Sequence, residues 1–473
     1  MEIIHLSAEC YPVAKVGGLG DVVGALPKYQ CKAGHYAKVV MPLYITPFLN
    51  KNEWTEDFTG HTNVGDRWFD YKIFKEKNNT LGFDLYLVDI NGLLDREKVY
   101  GYDDDSERFT AFQIAFLHWM NHWEHKPDII HCHDHHTALI PFMMKYCYAF
   151  ENLSDIPTVF TIHNAQYQGW MGWDKSFYLP EWDTWKKGLL EWDGLLNPLA
   201  SAIKNAWRVT TVSESYLNEL SYQSKGLEQL FEMEKNKCVG ILNGIDAEVW
   251  NPATDLFLDH HFKIKNAAKS KGLIKDELCR KFQFDPSKPL FIFIGRLVAE
   301  KAADILPDAF LSTMYLFPNR LNILILGSGD ELVEQQLLKL SDHFKDHIHV
   351  EIGYQEALSH QMYAGADFLL MPSRVEPCGL NQMYAMRYGT IPMVRNTGGL
   401  RDTVKDMGEE DGWGFLFNHA SVEDINHTIG RALELYETDQ EKMKKVREKM
   451  LRFDHSWENS IQHYMEVYES IIV

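Results

Sequence analysis

Short apolar runs alternate with longer amphipathic stretches along this chain, break off, and then begin again. Runs of five or six apolar residues bounded by turn residues read as buried strands. Stretches with apolar residues three and four apart read as helices. The alternation is that of a parallel sheet covered by helices. The first half has expected strands at 2–7, 38–42, 84–89, 128–132, 157–162, 208–212 and 238–242, with helices at 19–33, 107–124, 136–149 and 214–221. The second half has strands at 290–294, 321–326, 347–352, 367–371, 391–395 and 413–417, with helices at 302–316, 330–344, 356–365, 378–388 and 421–435. Asn243-Gly244-Ile245-Asp246, running through Asn251-Pro252 into a polar stretch that ends near Ser287, reads as the linker. A last helix, 456–472, carries the stripe Ile461, Tyr464, Val467, Tyr468 and Ile471. At 473 residues the chain exceeds what one core usually organises. The expected fold is α/β, with Rossmann-like domains at 1–246 and 247–455 and a separate terminal helix at 456–473.

Open parallel sheets take ligands at the carboxyl ends of their strands, and two such sheets facing one another would form a deep cleft. A net charge of −20 argues against a nucleic-acid partner. It also requires any phosphate ligand to meet a few placed cations rather than a basic field. The seven cysteines are scattered without a C-x-x-C pair, so neither a disulfide framework nor a zinc ribbon is expected. The sequence opens directly on a strand, with no leader pattern, and no apolar run is long enough for a membrane span. The expected setting is the cytoplasm. An aromatic share of 13% suits stacking on sugar faces, although aromatics also serve as core mass.

Lys15-Val16-Gly17-Gly18-Leu19-Gly20-Asp21 follows the first strand and opens the first long helix. Glycines there permit close backbone approach, and a helix N-terminus offers unpaired N–H groups to an anion. A glycine turn kept for packing is the plain alternative. The spacing is not that of a P-loop, and the first half has no G-x-G-x-x-G fingerprint. Arg296 and Lys301, five residues apart across a strand-to-helix loop, can both reach one diphosphate and neutralise a leaving nucleotide without a metal. As mere surface cations at a helix start they would oppose the macrodipole. Glu376-Pro377-Cys378-Gly379-Leu380 sets a carboxylate before a helix, to hold sugar hydroxyls or simply to cap. Thr397-Gly398-Gly399-Leu400 is a second anion-nest candidate. His163 is a strand-end site candidate or a satisfied core histidine. The aromatic stretch 165–192 behind it reads as a sugar-facing surface or a lid. His131-Cys132-His133-Asp134-His135-His136 looks like a metal cluster, but no partner tract has ligand spacing. Asp103-Asp104-Asp105 mimics a metal-binding D-x-D yet reads as a solvated acidic turn.

Together these residues resemble the bacterial glycogen synthase and plant starch synthase family. The Lys15–Asp21 loop, His163-Asn164 with Tyr167-Gln168-Gly169, Asn243-Gly244-Ile245-Asp246, Arg296 with Lys301, Glu376–Leu380 and Thr397–Leu400 stand in the family's order over nearly the whole chain. The resemblance implies the GT-B architecture. In it two Rossmann-like domains face a cleft, with the acceptor side on 1–246, the nucleotide-sugar side on 247–455, and the last helix crossing back. It implies a hexosyltransferase that moves glucose from ADP-glucose to the non-reducing end of an α-1,4-glucan (glycogen or a maltooligosaccharide), with retention and with no metal or organic cofactor. By position, Arg296 and Lys301 grip the diphosphate. Lys15 and the amides of Gly17, Gly18, Gly398 and Gly399 complete its cradle, with Cys378, Gly379 and Thr397 alongside. Glu376 holds the transferred glucose, with His163 and Asn243 nearby. Asp21 and Asp134 line the sugar and acceptor side, and Tyr354 stacks on the base. The implied catalytic set is Lys15, His163, Arg296, Lys301 and Glu376. Ala302 departs from the family, which usually has Gly there. Two other readings stay open: a GT-B transferase using UDP-glucose, and a catalytically silent glucan-binding protein. A phosphorylase is disfavoured, because no lysine context for a pyridoxal cofactor is recognisable.

Overall fold

The computed structural model describes residues 1–472, and the chain divides into two units, Met1–Gly244 with Trp457–Val473, and Ile245–Ser456. The first unit is built on β1 (Glu2–Leu6), β2 (Tyr36–Pro42), β3 (Trp54–Val64), β4 (Arg67–Glu76), β5 (Asp84–Asp89), β6 (Ile129–His133) and β7 (Thr158–Ile162). A short hairpin, β8 (Glu191–Trp192) and β9 (Leu195–Leu196), stands apart, followed by β10 (Arg208–Thr211) and β11 (Cys238–Gly240). Nine of these form one sheet in the order β11-β10-β7-β6-β1-β2-β5-β4-β3. It is parallel from β11 to β5. Ile3, Ile4, Leu6, Ile129 and Ile130 are fully buried, as strands covered on both faces require.

On one face, Val22, Leu26 and Tyr29 of the Gly18–Lys32 helix meet Trp457, Ile461, Tyr464 and Tyr468 of the Trp457–Glu469 helix. Each large apolar side chain buried in this way contributes about 1.5–3 kcal/mol. The stripe read in the last helix therefore belongs to the core of the first unit.

The antiparallel pair β3–β4 was not expected. It turns at Gly65-Asp66, where Gly65 has φ 55°. Phe69, Tyr71 and Ile73 alternate inward with a strand's period of two.

The second unit carries β12 (Leu290–Ile294), β13 (Asn322–Gly327), β14 (Ile348–Ile352), β15 (Phe368–Met371), β16 (Ile391–Arg395) and β17 (Phe415–Phe417), all parallel, in the order β14-β13-β12-β15-β16-β17. The stretch read as a linker is largely built into this unit. Trp250 stacks on His360 and on Tyr384, each at 3.8 Å between ring centroids. Ala267–Phe282 is a helix whose inward face includes two lysines. Lys271 Nζ donates to the carbonyls of Ala364 and Tyr388 and to Thr390 Oγ1. Lys275 pairs with Asp367 at 2.8 Å. These satisfied lysines hide the apolar stripe from a hydropathy reading. The helix expected from residue 302 begins at Leu306, after two 3-10 turns. The one expected at 136–149 breaks into a 3-10 turn and a helix, Ile140–Tyr146. Among the described residues no helix is long and apolar enough to cross a membrane.

Candidate active site

In the first unit the chosen residues lie in the loops after β1, β6, β7 and β11. The first three of these strands are neighbours. After β1 the chain is stapled by Ser7, whose hydroxyl donates to the Glu9 carbonyl at 2.7 Å. The Glu9 carboxylate, buried to 2% exposure, accepts from the amides of Val16 (2.6 Å) and Gly17 (2.9 Å) and from the Tyr100 hydroxyl (3.0 Å). Burial pushes its pKa up against those bonds. Sequence reasoning passed over Glu9. Its signal was a lone carboxylate at a strand end, six residues before Lys15. The Gly17 amide is thus engaged within the loop rather than free to meet an anion as expected. A Cβ at Gly17 or Gly18 would meet no atom within 4 Å, and neither residue adopts a left-handed φ. Packing does not explain these glycines, and open space lies above them. Lys15 Nζ pairs with Asp21 Oδ1 at 2.8 Å.

Asp134 follows β6 with φ 55° and ψ 178°, an unusual conformation for a non-glycine residue. Its carboxylate accepts from the His163 amide at 2.7 Å. Burial raises its pKa to about 7, above the lowering effect of its backbone hydrogen bonds. His163 is buried to 8% exposure, and desolvation lowers its pKa to about 3. Its Nε2 lies 2.9 Å from His133 Nδ1. Asn243, after β11, is 4% exposed, and its Oδ1 is buried with no hydrogen-bond partner among the described residues. The histidine tract acquires a partner that the sequence pattern did not reveal: His5, on β1, lies beside His131 and His133. The acidic turn is less solvated than expected, because Asp104 pairs with Arg96 and Asp105 with the fully buried Arg108.

In the second unit the residues follow β12, β14, β15 and β16. The Arg296 side chain is 42% exposed, with Glu300 at 3.5 Å from its guanidinium. Lys301 Nζ lies 2.6 Å from Glu376 Oε2, which also accepts from Ser373 Oγ at 2.8 Å. Glu376 is 6% exposed. The loops after β12 and β15 are clamped together. The Arg374 amide donates to the Glu300 carbonyl (2.8 Å), and its guanidinium pairs with Asp304. Arg395, at the end of β16, donates to the carbonyls of Ser373 and Arg374. Lys301 and Glu376, 75 positions apart, are thereby brought into contact.

Ala302 is fully buried and left-handed, with φ 55° and ψ 32°. That conformation is the physical reason a glycine would suit the position. Thr397 and Cys378 are buried at 4% and 5% exposure. Gly398 and Gly399 answer to packing, since a Cβ would strike the Glu376 carbonyl oxygen at 2.0 Å or that of Cys378 at 2.1 Å. The Gly399 amide donates to the carbonyls of Glu376 and Pro377, so this nest has one donor fewer than expected. Gly379 has φ 74°. Tyr354 follows β14 and is 58% exposed, its hydroxyl bonded to Glu356.

Residues 2–233 match the family model for the starch synthase catalytic domain, and residues 274–450 match that for glycosyl transferases group 1. The chain is 53% identical over 472 residues to a glycogen synthase of Flavobacterium johnsoniae, covering 100% of this chain and 99% of the relative. It is 36% identical over 482 residues to a glycogen synthase of Streptococcus pneumoniae, covering 100% of both. The catalytic domain of starch synthase IV from Arabidopsis thaliana, solved with ADP and acarbose bound, matches with a TM-score of 0.91 at 32% identity, covering 100% of this chain and 99% of that one.

Proposed function

This chain belongs to the glycogen synthase and starch synthase family of glycosyltransferases, and we propose that it transfers glucose from ADP-glucose to the non-reducing end of an α-1,4-glucan, with retention at the anomeric carbon. The observation that carries the reading is the cluster at the carboxyl ends of β12 and β15. Half-buried Arg296, paired with Glu300, shares the loop after β12 with Lys301, which touches the buried Glu376 carboxylate. A loop with two cations, one of them on a buried carboxylate, suits a sugar joined to a diphosphate. Arg296 and Lys301 hold the diphosphate and stabilise charge as it departs. Glu376, fixed by Ser373, accepts from glucose hydroxyls. Tyr354 offers a ring to the base. Lys15 serves the donor diphosphate, His163 and Asn243 the transferred glucose, and Asp21 and Asp134 the sugar and acceptor side.

No residue of this set is assigned as a nucleophile. The acceptor O4 attacks the face from which the diphosphate leaves. The C1–O bond to phosphate breaks as the C1–O4 bond forms, and the O4 proton passes to a departing phosphate oxygen. ADP is released. The test follows ADP release from ADP-glucose and glycogen, with UDP-glucose as the competing donor. Turnover with ADP-glucose is the expected result. Exclusive use of UDP-glucose overturns the donor assignment, and glucan binding without ADP release overturns the transferase reading.

A further inference from the structure

Behind His163 runs a chain of buried hydrogen bonds that the transfer chemistry does not use. It passes from His163 Nε2 to His133 Nδ1 (2.9 Å), from His133 Nε2 to His5 Nδ1 (3.0 Å), and from His5 Nε2 to Gln30 Oε1 (2.7 Å). Gln30 Nε2 donates to the Tyr468 hydroxyl (3.1 Å), which meets His131 Nδ1 (2.7 Å). His131 Nε2 in turn meets Thr161 Oγ1 at 2.6 Å. His5, Gln30, His131, His133 and Tyr468 are all fully buried. His5, His131 and His133 lie close enough to surround a metal ion. Every one of their ring nitrogens, however, already has a protein partner within this chain. The cluster is a relay rather than a coordination site.

Burial lowers the pKa of His5 to about 4 and holds His131 and His133 well below the usual histidine range. With His163 they are neutral near pH 7. A neutral imidazole has one N–H and one bare nitrogen, so each bond of the relay fixes the next. Gln30 Oε1 can only accept. His5 therefore carries its proton on Nε2 and presents a bare Nδ1. His133 must donate from Nε2 and accept at Nδ1, and His163 donates from Nε2. Its Nδ1 is left bare, and no described residue hydrogen-bonds it.

We propose that Gln30 is a positioning residue that sets the tautomer of His163 through His5 and His133, so that His163 meets a substrate hydroxyl as a hydrogen-bond acceptor at Nδ1. The hydroxyl contact rests on the functional reading above, whereas the tautomer does not. The opposite amide orientation of Gln30 would reverse every bond and make His163 a donor. With Oε1 toward His5 and Nε2 toward Tyr468, the structure has the accepting state.

The test is nitrogen NMR of the full chain labelled with ¹⁵N-histidine, with His163 assigned from a His163→Asn variant. The wild type should show His163 protonated on Nε2 and bare at Nδ1. Gln30→Glu keeps the acceptor toward His5 but loses the donor toward Tyr468. His163 should then keep its tautomer while His131 moves its proton to Nδ1. Gln30→Met removes both contacts. His163 should become a tautomer mixture, and kcat should fall on the order of tenfold with the KM for glucan unchanged. Wild-type His163 protonated on Nδ1 overturns the proposal, as does an unmoved His163 signal in Gln30→Met. Should Gln30→Met not fold, the wild-type and Gln30→Glu spectra decide between the two tautomers. The expected nitrogen pattern in a chain without transferase activity would overturn the functional reading and leave the tautomer assignment standing.

Discussion

Replacing Asp134 with asparagine should flatten the pH dependence of stability in the first unit. Folding raises the Asp134 pKa from 3.8 to about 7, chiefly by desolvation. An acid whose pKa rises on folding binds its proton more tightly in the folded chain. Its stabilising contribution is therefore whole below about pH 4 and is lost as pH rises through about 7. A rise of roughly 3 pK units at about 1.4 kcal/mol each sets a ceiling near 4 kcal/mol. Asp134 keeps partial contact with solvent, and we halve the figure to about 2 kcal/mol for that screening. Asparagine mimics the neutral acid, and its Oδ1 can still accept the His163 amide.

Buried histidines act in the opposite direction over part of this range. His5 and His163, lowered to about 4 and about 3, favour folding above about pH 6.5 and lose that contribution as pH falls through those values. They are common to both proteins and cancel in the difference. The assay is urea unfolding followed by tryptophan fluorescence. Of the thirteen tryptophans only Trp250 and Trp413 lie in the second unit, so the signal reports mainly on the first. Between about pH 5 and about pH 8 the variant should gain about 1–2 kcal/mol on the wild type. Parallel stability curves would refute the assigned burial of this carboxylate.

Arg296→Ala and Lys301→Ala should each lower kcat with ADP-glucose on the order of 100-fold or more while leaving glucan binding intact, because both are assigned to charge that develops during departure; unchanged turnover in both would sink the diphosphate assignment. Ala302→Gly relieves about 1–2 kcal/mol of left-handed strain but loses about 0.8 kcal/mol of methyl burial and about 0.5–1 kcal/mol of unfolded-state advantage, so denaturant stability should move by less than about 1 kcal/mol. Ala302→Val, overpacked and β-branched at φ 55°, should cost more than about 2 kcal/mol, and a neutral result would mean the loop is not held in that conformation. Glu9→Ala removes the acceptor of two part-buried amides and a tyrosine hydroxyl, and thermal unfolding should register a loss of about 1–3 kcal/mol; Glu9→Gln, which can still accept, should lose less than half as much.

What the sequence disclosed and what it hid follow from the range of the forces involved. Central strands such as Leu290–Ile294 are buried on both faces, so each reads as a continuous apolar run. The β3–β4 pair faces solvent on one side, and its threonines and acids dilute the alternation of Phe69, Tyr71 and Ile73. The Ala267–Phe282 helix stayed hidden because Lys271 and Lys275 occupy its inward face, a choice that makes sense only beside Ala364, Tyr388, Thr390 and Asp367. Arg296 and Lys301 stood out through local spacing. Glu9 and Gln30 did not, since their importance lies in what they touch. His5 meets His133 across 128 positions, and no local pattern encodes that contact.

The two double glycines carry this point furthest, because similar sequence covers opposite physical causes. Both Gly17-Gly18 and Gly398-Gly399 were expected to serve as anion nests. At Gly399 the absent side chain lets two backbone segments touch, and a Cβ would sit 2.1 Å from the Cys378 carbonyl oxygen. Gly399→Ala must displace the segment that carries Glu376, so it should lower stability by several kcal/mol and abolish turnover together. At Gly18 neither conformation nor packing calls for glycine, and alanine there should favour the helix by up to about 1 kcal/mol. Stability of the fold alone therefore gives no reason for a glycine there. If a ligand approaches that backbone, Gly18→Ala should melt at or above the wild-type temperature yet raise the KM for ADP-glucose or lower kcat on the order of tenfold. Full turnover in a stable Gly18→Ala protein would show that nothing approaches there, and the assignment of the Lys15 loop to the donor would fall with it.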